Sequence, residues 1–342
     1  MSASSEQHHS VEIVTESHDL ELGVGTRFVS RLEDAGTTLV TRGLAASGRP
    51  ELALVLFRAP AAFREPRSVE SALEQMAGVL RETAGQAMAA PPMREGTMMW
   101  LPADLVRPGL RGMVWVKPPP LVRATCVPPG ALVGVPLFVD EFELARTSSP
   151  YRVLTRLGMD LQEFPFPPWL DPIRASVSQG AAEQSSWLCR LPSAFTGVAF
   201  LAEHRDGNPN PDQLIRLSLR VRASARTEIM RTFQGRPAGA DSFALVGVPH
   251  EQATARLAWR PEQQGFYGIE APGGGFEKVT GTFFGIAPDK KFKSDRALMA
   301  EDGYMLFPTV ASWKRLHAAL ATGAAFTLPL EHGSFELVWE AS

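Results

Sequence analysis

Side chains that supply most metal ligands and acid–base catalysts are scattered along this 342-residue sequence. The seven histidines are His8, His9, His18, His204, His250, His317 and His332. None has a second histidine four residues later, which is the spacing of a helical zinc site. Cys126 and Cys189 lie far apart, so they predict neither a zinc site nor a disulfide framework. The sequence therefore predicts no metal and no cofactor.

Motifs that bind phosphate or present a catalytic serine are absent from the sequence. It contains no Gly-x-x-x-x-Gly-Lys phosphate loop and no Gly-x-Ser-x-Gly elbow. The glycine run at residues 273–275 lies between two predicted strands and not before a helix. Because glycine adopts positive φ at little cost, this run predicts a hairpin turn.

One polar segment is similar to a calcium-binding loop. Residues 206–212 place oxygen-bearing side chains at positions 1, 3, 5 and 7 of such a loop. Position 6 is Pro211 where calcium loops need glycine, and position 12 is Leu217 where they need a bidentate glutamate. The segment is predicted to be a polar turn, with calcium binding as the weaker alternative.

Three titratable residues could form a catalytic site only if the fold brought them together: Glu51, His250 and Asp302. A cleft that held them with perturbed pKa values would indicate an enzyme. No motif connects them, so the sequence favours a protein without catalytic activity and keeps this enzyme as the alternative.

Two basic clusters are the candidate partner-binding residues. They comprise Arg216, Arg220, Arg222, Lys290, Lys291 and Lys293. Arginines and apolar residues alternate along residues 214–222, which predicts a half-buried strand with the arginines on its polar face. The lysines share a predicted loop with Asp289 and Asp295. Either cluster could bind an acidic partner protein, and the arginine face is the first candidate; a solvated polar surface is the alternative.

The bulk composition is typical of a folded protein that is neither a membrane protein nor a nucleic-acid binder. The hydrophobic fraction is 44%, the charged fraction 21% and the net charge −3, which excludes wholesale disorder and long-range attraction to nucleic acid. No apolar run is long enough to span a membrane, and residues 1–26 lack the basic start of a secretory signal. We expect a soluble cytoplasmic protein, with an Ala- and Arg-rich composition typical of a bacterial source.

The pattern of elements predicts an α+β fold of mainly antiparallel sheets with about four helices. The helices are expected at residues 68–80, 149–158, 224–233 and 309–323. Consecutive strand-like segments favour antiparallel pairing. Ser149 and Pro150 are typical of a helix start, and Gly158 is predicted to end that helix with positive φ.

Four segments are predicted along the chain. Residues 1–20 form a flexible acidic tail, residues 21–172 a first α+β lobe, residues 173–185 a linker and residues 186–342 a second α+β lobe. The two lobes could also form one compact domain.

Four stretches, in a fixed order, carry a family resemblance. They are residues 41–52, residues 151–158 (Tyr-Arg-Val-Leu-Thr-Arg-Leu-Gly), residues 278–284 (Lys-Val-Thr-Gly-Thr-Phe-Phe) and residues 301–305 (Glu-Asp-Gly-Tyr-Met). They resemble the C-terminal domain of the Smad anchor for receptor activation and endofin, the FYVE-finger scaffold proteins. The resemblance covers roughly residues 35–340. It implies that domain's fold and a protein-binding role without catalytic residues, and without the FYVE finger it implies no endosomal targeting.

These observations together predict a protein-interaction module. Its role would be that of a scaffold, or of a binding protein that neutralises a toxin or effector, the latter by analogy of class. The alternatives are the enzyme described above and a structural subunit of a larger assembly.

Overall fold

The computed structural model describes residues 12–19, 35–57, 66–118, 127–178, 186, 188–191, 193–195, 197–234, 242–260, 267–291 and 293–341. These residues form five α-helices and three mixed, mostly antiparallel sheets, which confirms the α+β class and adds one helix to the predicted four. No helix in this part of the chain is long and apolar enough to cross a membrane.

The chain divides into two compact units. The first comprises Met1–Phe142 and Pro167–Ser176, and the second comprises Glu143–Phe166 and Val177–Ser342. This division differs from the predicted lobes because residues 143–166, which carry the helix that begins at Pro150, belong to the second unit.

The first unit contains one six-stranded sheet and a long helix. Its strands are β1 (Glu12–Asp19), β2 (Ala35–Arg42), β3 (Leu52–Phe57), β4 (Thr97–Trp100), β5 (Leu110–Val116) and β6 (Leu132–Phe138). They lie in the order β1-β2-β3-β6-β5-β4, and only β3 and β6 pair in parallel. Helix α1 (Pro66–Ala89) buries Met76 and Leu80 in a core with Leu54 and Trp115. That apolar face repeats at helical spacing, as predicted.

Residues 12–19, which were predicted to belong to a flexible tail, form strand β1 instead. It pairs antiparallel with β2 over its whole length, from Glu12 opposite Arg42 to Asp19 opposite Ala35. The β-branched run at residues 13–15 favours an extended strand. The rest of the predicted tail, residues 1–11 and 20, lies outside the described residues.

The first part of the predicted linker is fixed in the first unit. The guanidinium of Arg174 is buried and donates to both carboxylate oxygens of Glu141, at 2.6 and 2.7 Å. It also donates to the carbonyl of Pro136 at 2.8 Å and lies 4.8 Å from the ring centroid of Phe138. Arg107 also donates to the carbonyl of Arg174 at 2.6 Å. Buried Arg174 and these further hydrogen bonds therefore hold a segment whose small, polar residues suggested a linker. Residues 179–185 of the predicted linker lie outside the described residues.

Glu141 belongs to a helix that the sequence analysis missed, α2 (Val139–Thr147). Its carboxylate also accepts the backbone N–H of Phe138 at 2.8 Å, just before the helix begins. Asp140 and Glu141 in the first turn and Arg146 in the last turn complement the helix dipole. This charge pattern was the available signal for α2.

The second unit contains two sheets that share one core. Its strands are β7 (Ser193–Phe195), β8 (Val198–His204), β9 (Leu214–Arg222), β10 (Phe243–Val246), β11 (Ala255–Ala258), β12 (Tyr267–Glu270), β13 (Lys278–Thr280), β14 (Phe283–Ile286), β15 (Arg296–Ala300), β16 (Gly303–Phe307), β17 (Phe326–Pro329) and β18 (Ser334–Glu340). The five-stranded sheet has the order β15-β16-β14-β10-β7 and the seven-stranded sheet β12-β11-β13-β8-β9-β18-β17. Phe284 and Phe335, one from each sheet, stack with ring centroids 5.6 Å apart.

The glycine-rich turn at residues 273–275 is not the predicted hairpin. Gly273 has a φ of 68°, as a turn glycine should. The flanking strands β12 and β13, however, both pair with β11 and not with each other. The turn therefore connects two strands that lie on opposite sides of β11.

Helix α3 (Pro150–Leu161) begins as predicted but ends later. The side chain of Ser149 accepts the N–H of Tyr151 at 3.2 Å. The helix continues past Gly158 to Leu161, and Gln162 takes the left-handed conformation. A Cβ at Gly158 would lie 2.6 Å from the carbonyl oxygen of Pro165. Glycine is therefore required there for a close approach of the backbone and not for positive φ.

Two further helices complete the second unit, α4 (Arg226–Gln234) and α5 (Val310–Thr322). The side chain of Thr309 accepts the N–H of Ser312 at 3.3 Å, and Gly323 ends α5 with a φ of 76°. Both ends of α5 are as predicted from the capping residues.

Candidate protein-interaction site

The predicted arginine strand is β9, a central strand of the seven-stranded sheet. Leu217, Leu219 and Val221 are fully buried, whereas the three arginines point to the other face. The predicted alternation fails at Ile215, which is 48% exposed. The register between β8 and β9 shifts there, so that Leu214 takes the buried place instead.

The arginine face of β9, formed by Arg216, Arg220 and Arg222, is balanced by carboxylates on the neighbouring strands. Arg216 Nη2 lies 2.8 Å from Glu203 Oε1, and Arg216 Nη1 lies 3.9 Å from Glu336 Oε2. Arg220 Nη1 lies 3.4 Å from Glu340 Oε1. Exposed pairs of this kind contribute only about 0–1 kcal/mol each.

The sheet register explains this balance. Glu203 of β8 lies directly opposite Arg216, and Glu340 of β18 lies directly opposite Arg222. Side chains that lie opposite each other on one sheet face are close enough to interact. Two of the three arginines, Arg216 and Arg220, therefore have acidic partners on the neighbouring strands.

The lysine loop, residues 287–295, joins β14 to β15 and carries exposed Lys290, Lys291 and Lys293. The carboxylates of the two acidic residues in this loop, Asp289 and Asp295, both accept hydrogen bonds. Asp289 accepts the backbone N–H of Lys291 at 2.8 Å. Within the described part of the chain, none of the three lysines forms an ion pair with a carboxylate.

Asp295 anchors the end of the lysine loop. Its carboxylate accepts the backbone N–H of Thr309 at 2.6 Å and the hydroxyl of Ser312 at 2.7 Å, at the start of α5. Its carbonyl accepts the N–H of Glu331 at 2.7 Å. The loop therefore presents its lysines from a base that is fixed to α5 and to the turn before β18.

Asp302, one of the three catalytic candidates, belongs to a buried ion cluster. Its carboxylate accepts Nε of Arg152 at 3.1 Å and Nη2 of Arg152 at 2.6 Å. Arg152 also donates to Glu301 at 2.8 Å and to Ser186 at 2.6 Å, and it lies 4.3 Å from the ring centroid of Trp259. Burial lowers the pKa of Arg152, but Asp302 and Glu301 offset that effect, so that its pKa is raised overall.

Glu51, the second candidate, stabilises a turn in the first unit. Its carboxylate accepts the hydroxyl of Thr41 at 2.7 Å and the N–H groups of Gly43 and Ala45 at 2.9 and 3.0 Å. Both carboxylates proposed for a catalytic site are therefore occupied by contacts within their own units.

His250, the third candidate, is buried beside the arginine face. Its Nδ1 accepts the N–H of Gln252 at 3.1 Å, and its backbone N–H donates to the hydroxyl of Thr280 at 3.0 Å. Burial, with the positive charge of Arg220, lowers the pKa of His250. The ring is therefore neutral at pH 7 and orders the turn after residue 250.

A buried pair that the sequence did not reveal joins His204 to Tyr304. The Tyr304 hydroxyl lies 2.7 Å from Nε2 of His204, and both side chains are buried. Burial lowers the pKa of His204 to about 4, against the opposite effect of a hydrogen bond with the backbone of Phe276, and it raises the pKa of Tyr304. At neutral pH an uncharged tyrosine and an uncharged histidine share this hydrogen bond.

This pair predicts acid destabilisation of the second unit. The unfolded chain binds a proton at His204 near pH 6.5, whereas the folded chain does so only near pH 4. The stabilisation is complete above about pH 6.5 and is lost as the pH falls towards 4, a loss of about 3 kcal/mol. Urea unfolding at pH 7 and at pH 4.5 should show that His204→Gln loses this part of the pH dependence. An unchanged pH dependence in the variant would remove His204 as its source.

The calcium-like segment is a polar turn. The side chain of Asn210 accepts the N–H of Asp212 at 3.3 Å, and the carboxylate of Asp212 lies 3.3 Å from Nε2 of His332. Among the residues that the structure describes, no three His, Cys, Asp or Glu side chains are grouped as metal ligands. Cys126 lies outside those residues.

A small apolar pocket lies in the core of the second unit, lined by residues such as Val198, Leu245 and Thr282. Its empty volume is ≈ 160 Å³. This volume includes open solvent and leaves no enclosed room for even one water molecule, so it is not a cavity of substrate size.

No protein-family model matches the sequence. No curated protein matches it either. Among solved structures, a similar one is the crystal structure of Drosophila Suppressor of Fused, at 10% sequence identity and a TM-score of 0.32. The match covers 95% of this chain and 88% of the other.

Proposed function

We propose that this chain is a protein-interaction module, and that the lysine loop is its contact for an acidic segment of another protein. The observation that carries the proposal is the difference between the two basic clusters. The arginine face has carboxylates beside it at 2.8 and 3.4 Å. The lysines have none among the described residues, because Asp289 and Asp295 accept hydrogen bonds from backbone and hydroxyl groups.

Charge availability decides which cluster gains more from an acidic partner. A partner at the arginine face would have to compete with Glu203, Glu336 and Glu340 for the guanidinium groups. A partner at the lysine loop meets three ammonium groups that form no ion pair with a carboxylate of the described residues, although Asp289 and Asp295 of the same loop keep their negative charges. Exposed ammonium groups without an ion-pair partner attract an acidic segment, which accelerates association and fixes orientation. The lysine loop therefore replaces the arginine face as the first candidate.

The anchored base of the lysine loop supports the same proposal. A loop held by Asp295 at the start of α5 loses less conformational freedom on binding than a free loop would. The resemblance to the C-terminal domain of the Smad anchor and endofin family agrees with a binding role. A scaffold and a protein that neutralises a toxin or effector would both use such a contact.

The test compares two charge-reversed variants of equal charge change. One carries Lys290→Glu, Lys291→Glu and Lys293→Glu, and the other carries the same reversal at Arg216, Arg220 and Arg222. A partner retained from native lysate by the parent chain is purified and titrated against all three proteins. We expect the lysine variant to bind it at least about tenfold more weakly at low salt, mainly through slower association.

The arginine variant is the matched control, and it should change the affinity less than the lysine variant does. Equal binding by the lysine variant and the parent would contradict the proposal, as would a larger loss in the arginine variant. Circular dichroism of each variant establishes that the fold survives.

A further inference from the structure

The lysine loop carries one hydroxyl group, that of Ser294, directly after Lys293. Ser294 is exposed and lies outside the helices and strands. Its hydroxyl donates to Glu331 Oε2 at 3.3 Å, at the surface of the molecule. A surface hydrogen bond of this kind is readily exchanged for one with water. The hydroxyl of Ser294 is therefore accessible to an enzyme that modifies side chains.

The lysines of this loop also form a charge pattern in front of Ser294. They lie one, three and four positions before it, as Lys293, Lys291 and Lys290. Protein kinases select their substrates partly by the charges around the acceptor hydroxyl. A basic residue three positions before that hydroxyl is a common requirement among kinases that prefer basic substrates. The lysines proposed to bind a partner thus match what such a kinase recognises.

The structure selects Ser294 from several hydroxyl groups with this spacing. In the described residues, an arginine or lysine lies three positions before each of Thr97, Ser149, Thr155, Ser193 and Ser294. Ser149 and Thr155 are buried in or beside α3. Thr97 and Ser193 are half-buried and belong to strands β4 and β7. A kinase must take the acceptor residue into its own cleft, so Ser294 is the one of these five that it can reach without local unfolding.

We propose that Ser294 is a phosphorylation site that switches off the lysine loop. A nucleoside triphosphate is the donor: Ser294 Oγ forms a bond to the γ-phosphorus, and the bond from that phosphorus to its bridging oxygen breaks. The nucleoside diphosphate leaves, and the hydroxyl proton passes to a carboxylate base of the kinase. This inference rests on the proposed function and names the regulation of the same site.

Phosphorylation would reverse the net charge of the loop. Its three lysines and two aspartates, Asp289 and Asp295, leave one net positive charge. A phosphoserine adds a charge of about −1.5 to −2 near pH 7, which exceeds that single positive charge. A loop that attracts an acidic segment would then repel it.

The contact with Glu331 gives the phosphate a second effect. The phosphate would replace a hydroxyl that now donates to the Glu331 carboxylate, so two negative groups would repel each other there. Glu331 also donates its backbone N–H to the carbonyl of Asp295 at 2.7 Å, where the loop is anchored. The phosphate is expected to turn instead towards Lys291 and Lys293, because ammonium groups form strong hydrogen bonds with phosphate. Those lysines are then no longer available to a partner.

The first test is made on the folded whole chain. It is incubated with ATP and the catalytic subunit of the cyclic-AMP-dependent protein kinase, which prefers basic residues before serine. Mass spectrometry should find phosphate at Ser294 at least about tenfold sooner than at Thr97, Ser149, Thr155 or Ser193. Absence of phosphate at Ser294, or equal rates at the five hydroxyls, would overturn the assignment of the site.

The second test measures binding by the phosphorylated chain. The probe is a synthetic peptide that alternates glutamate and glycine, with both ends blocked, titrated at low salt. Phosphorylation should weaken binding of this peptide at least about tenfold. Ser294→Ala treated with the same kinase is the matched control, and it should bind like the untreated parent because its lysines are unchanged.

The lysine-reversed variant separates the two proposals. Unchanged peptide affinity after phosphorylation of Ser294, with a loss of affinity in Lys290→Glu, Lys291→Glu and Lys293→Glu, would overturn the switch and leave the proposed function intact. A similar loss in the kinase-treated Ser294→Ala chain would also overturn the switch. No binding by the parent at about 1 mM peptide, or binding that survives the lysine reversal, would overturn the proposed function and the switch with it.

Discussion

Arg152→Ala is expected to lower the free energy of unfolding of the second unit by about 3–5 kcal/mol, because it leaves buried carboxylates without their cation. Asp302 is fully buried, and its two carboxylate oxygens accept hydrogen bonds from Arg152. The same substitution removes the bonds to Glu301 and Ser186 and the contact with Trp259. Urea unfolding followed by intrinsic fluorescence measures the loss.

An exposed pair provides the control for Arg152. Arg146 and Glu143 lie 2.7 Å apart in α2, with both side chains largely exposed, so Arg146→Ala should cost less than about 0.5 kcal/mol. Asp302→Ala measured alone and together with Arg152→Ala gives the coupling energy of the pair. A cost below about 1 kcal/mol for Arg152→Ala would mean that the ion cluster contributes no more than an exposed pair does.

Arg174→Ala should destabilise the first unit by about 3 kcal/mol, since it leaves Glu141 buried without its partner. It also removes the hydrogen bond to the carbonyl of Pro136 and the contact with the Phe138 ring. Residues 171–176 should then detach more often from the unit. Limited proteolysis with a protease that cleaves beside apolar residues measures this detachment at Ile173, which is 57% exposed.

Ser176→Ala provides the control in the same segment. Ser176 donates an exposed hydrogen bond to Asp140 at 2.7 Å, and its loss should cost less than about 1 kcal/mol. Similar cleavage rates for Arg174→Ala and Ser176→Ala would show that Arg174 does not hold the segment in place.

Local signals predicted local structure well. Ser149, Thr309 and Gly323 act at helix ends through contacts with residues two to four positions away, so a short stretch of sequence contains the whole interaction. Gly158 was misread because its constraint comes from the carbonyl of Pro165, after the chain has turned back. The sequence shows that residue 158 is a glycine, but it does not show that the backbone at Pro165 packs against it.

The candidate site could be predicted only in part. The positions of the lysines and the alternation of β9 from Leu217 onwards follow from the sequence, because loop polarity and period-two burial are local. The neutralisation of the arginine face depends on the register that places Glu203 opposite Arg216. Arg152 and Asp302 are 150 positions apart and fully buried, although isolated charges in a sequence suggest surface residues.

The two segments of the first unit are synthesised at different times. Residues 167–176 complete that unit, but residues 143–166, which belong to the second, are synthesised before them. Until Arg174 has left the ribosome, the carboxylate of Glu141 lacks the guanidinium that neutralises it in the folded unit, so it must remain in water. The first unit therefore cannot finish folding before residues 167–176 have been synthesised. In a nascent chain stopped near residue 160, the backbone carbonyl of β3 that later accepts the N–H of Leu170 would still be exposed.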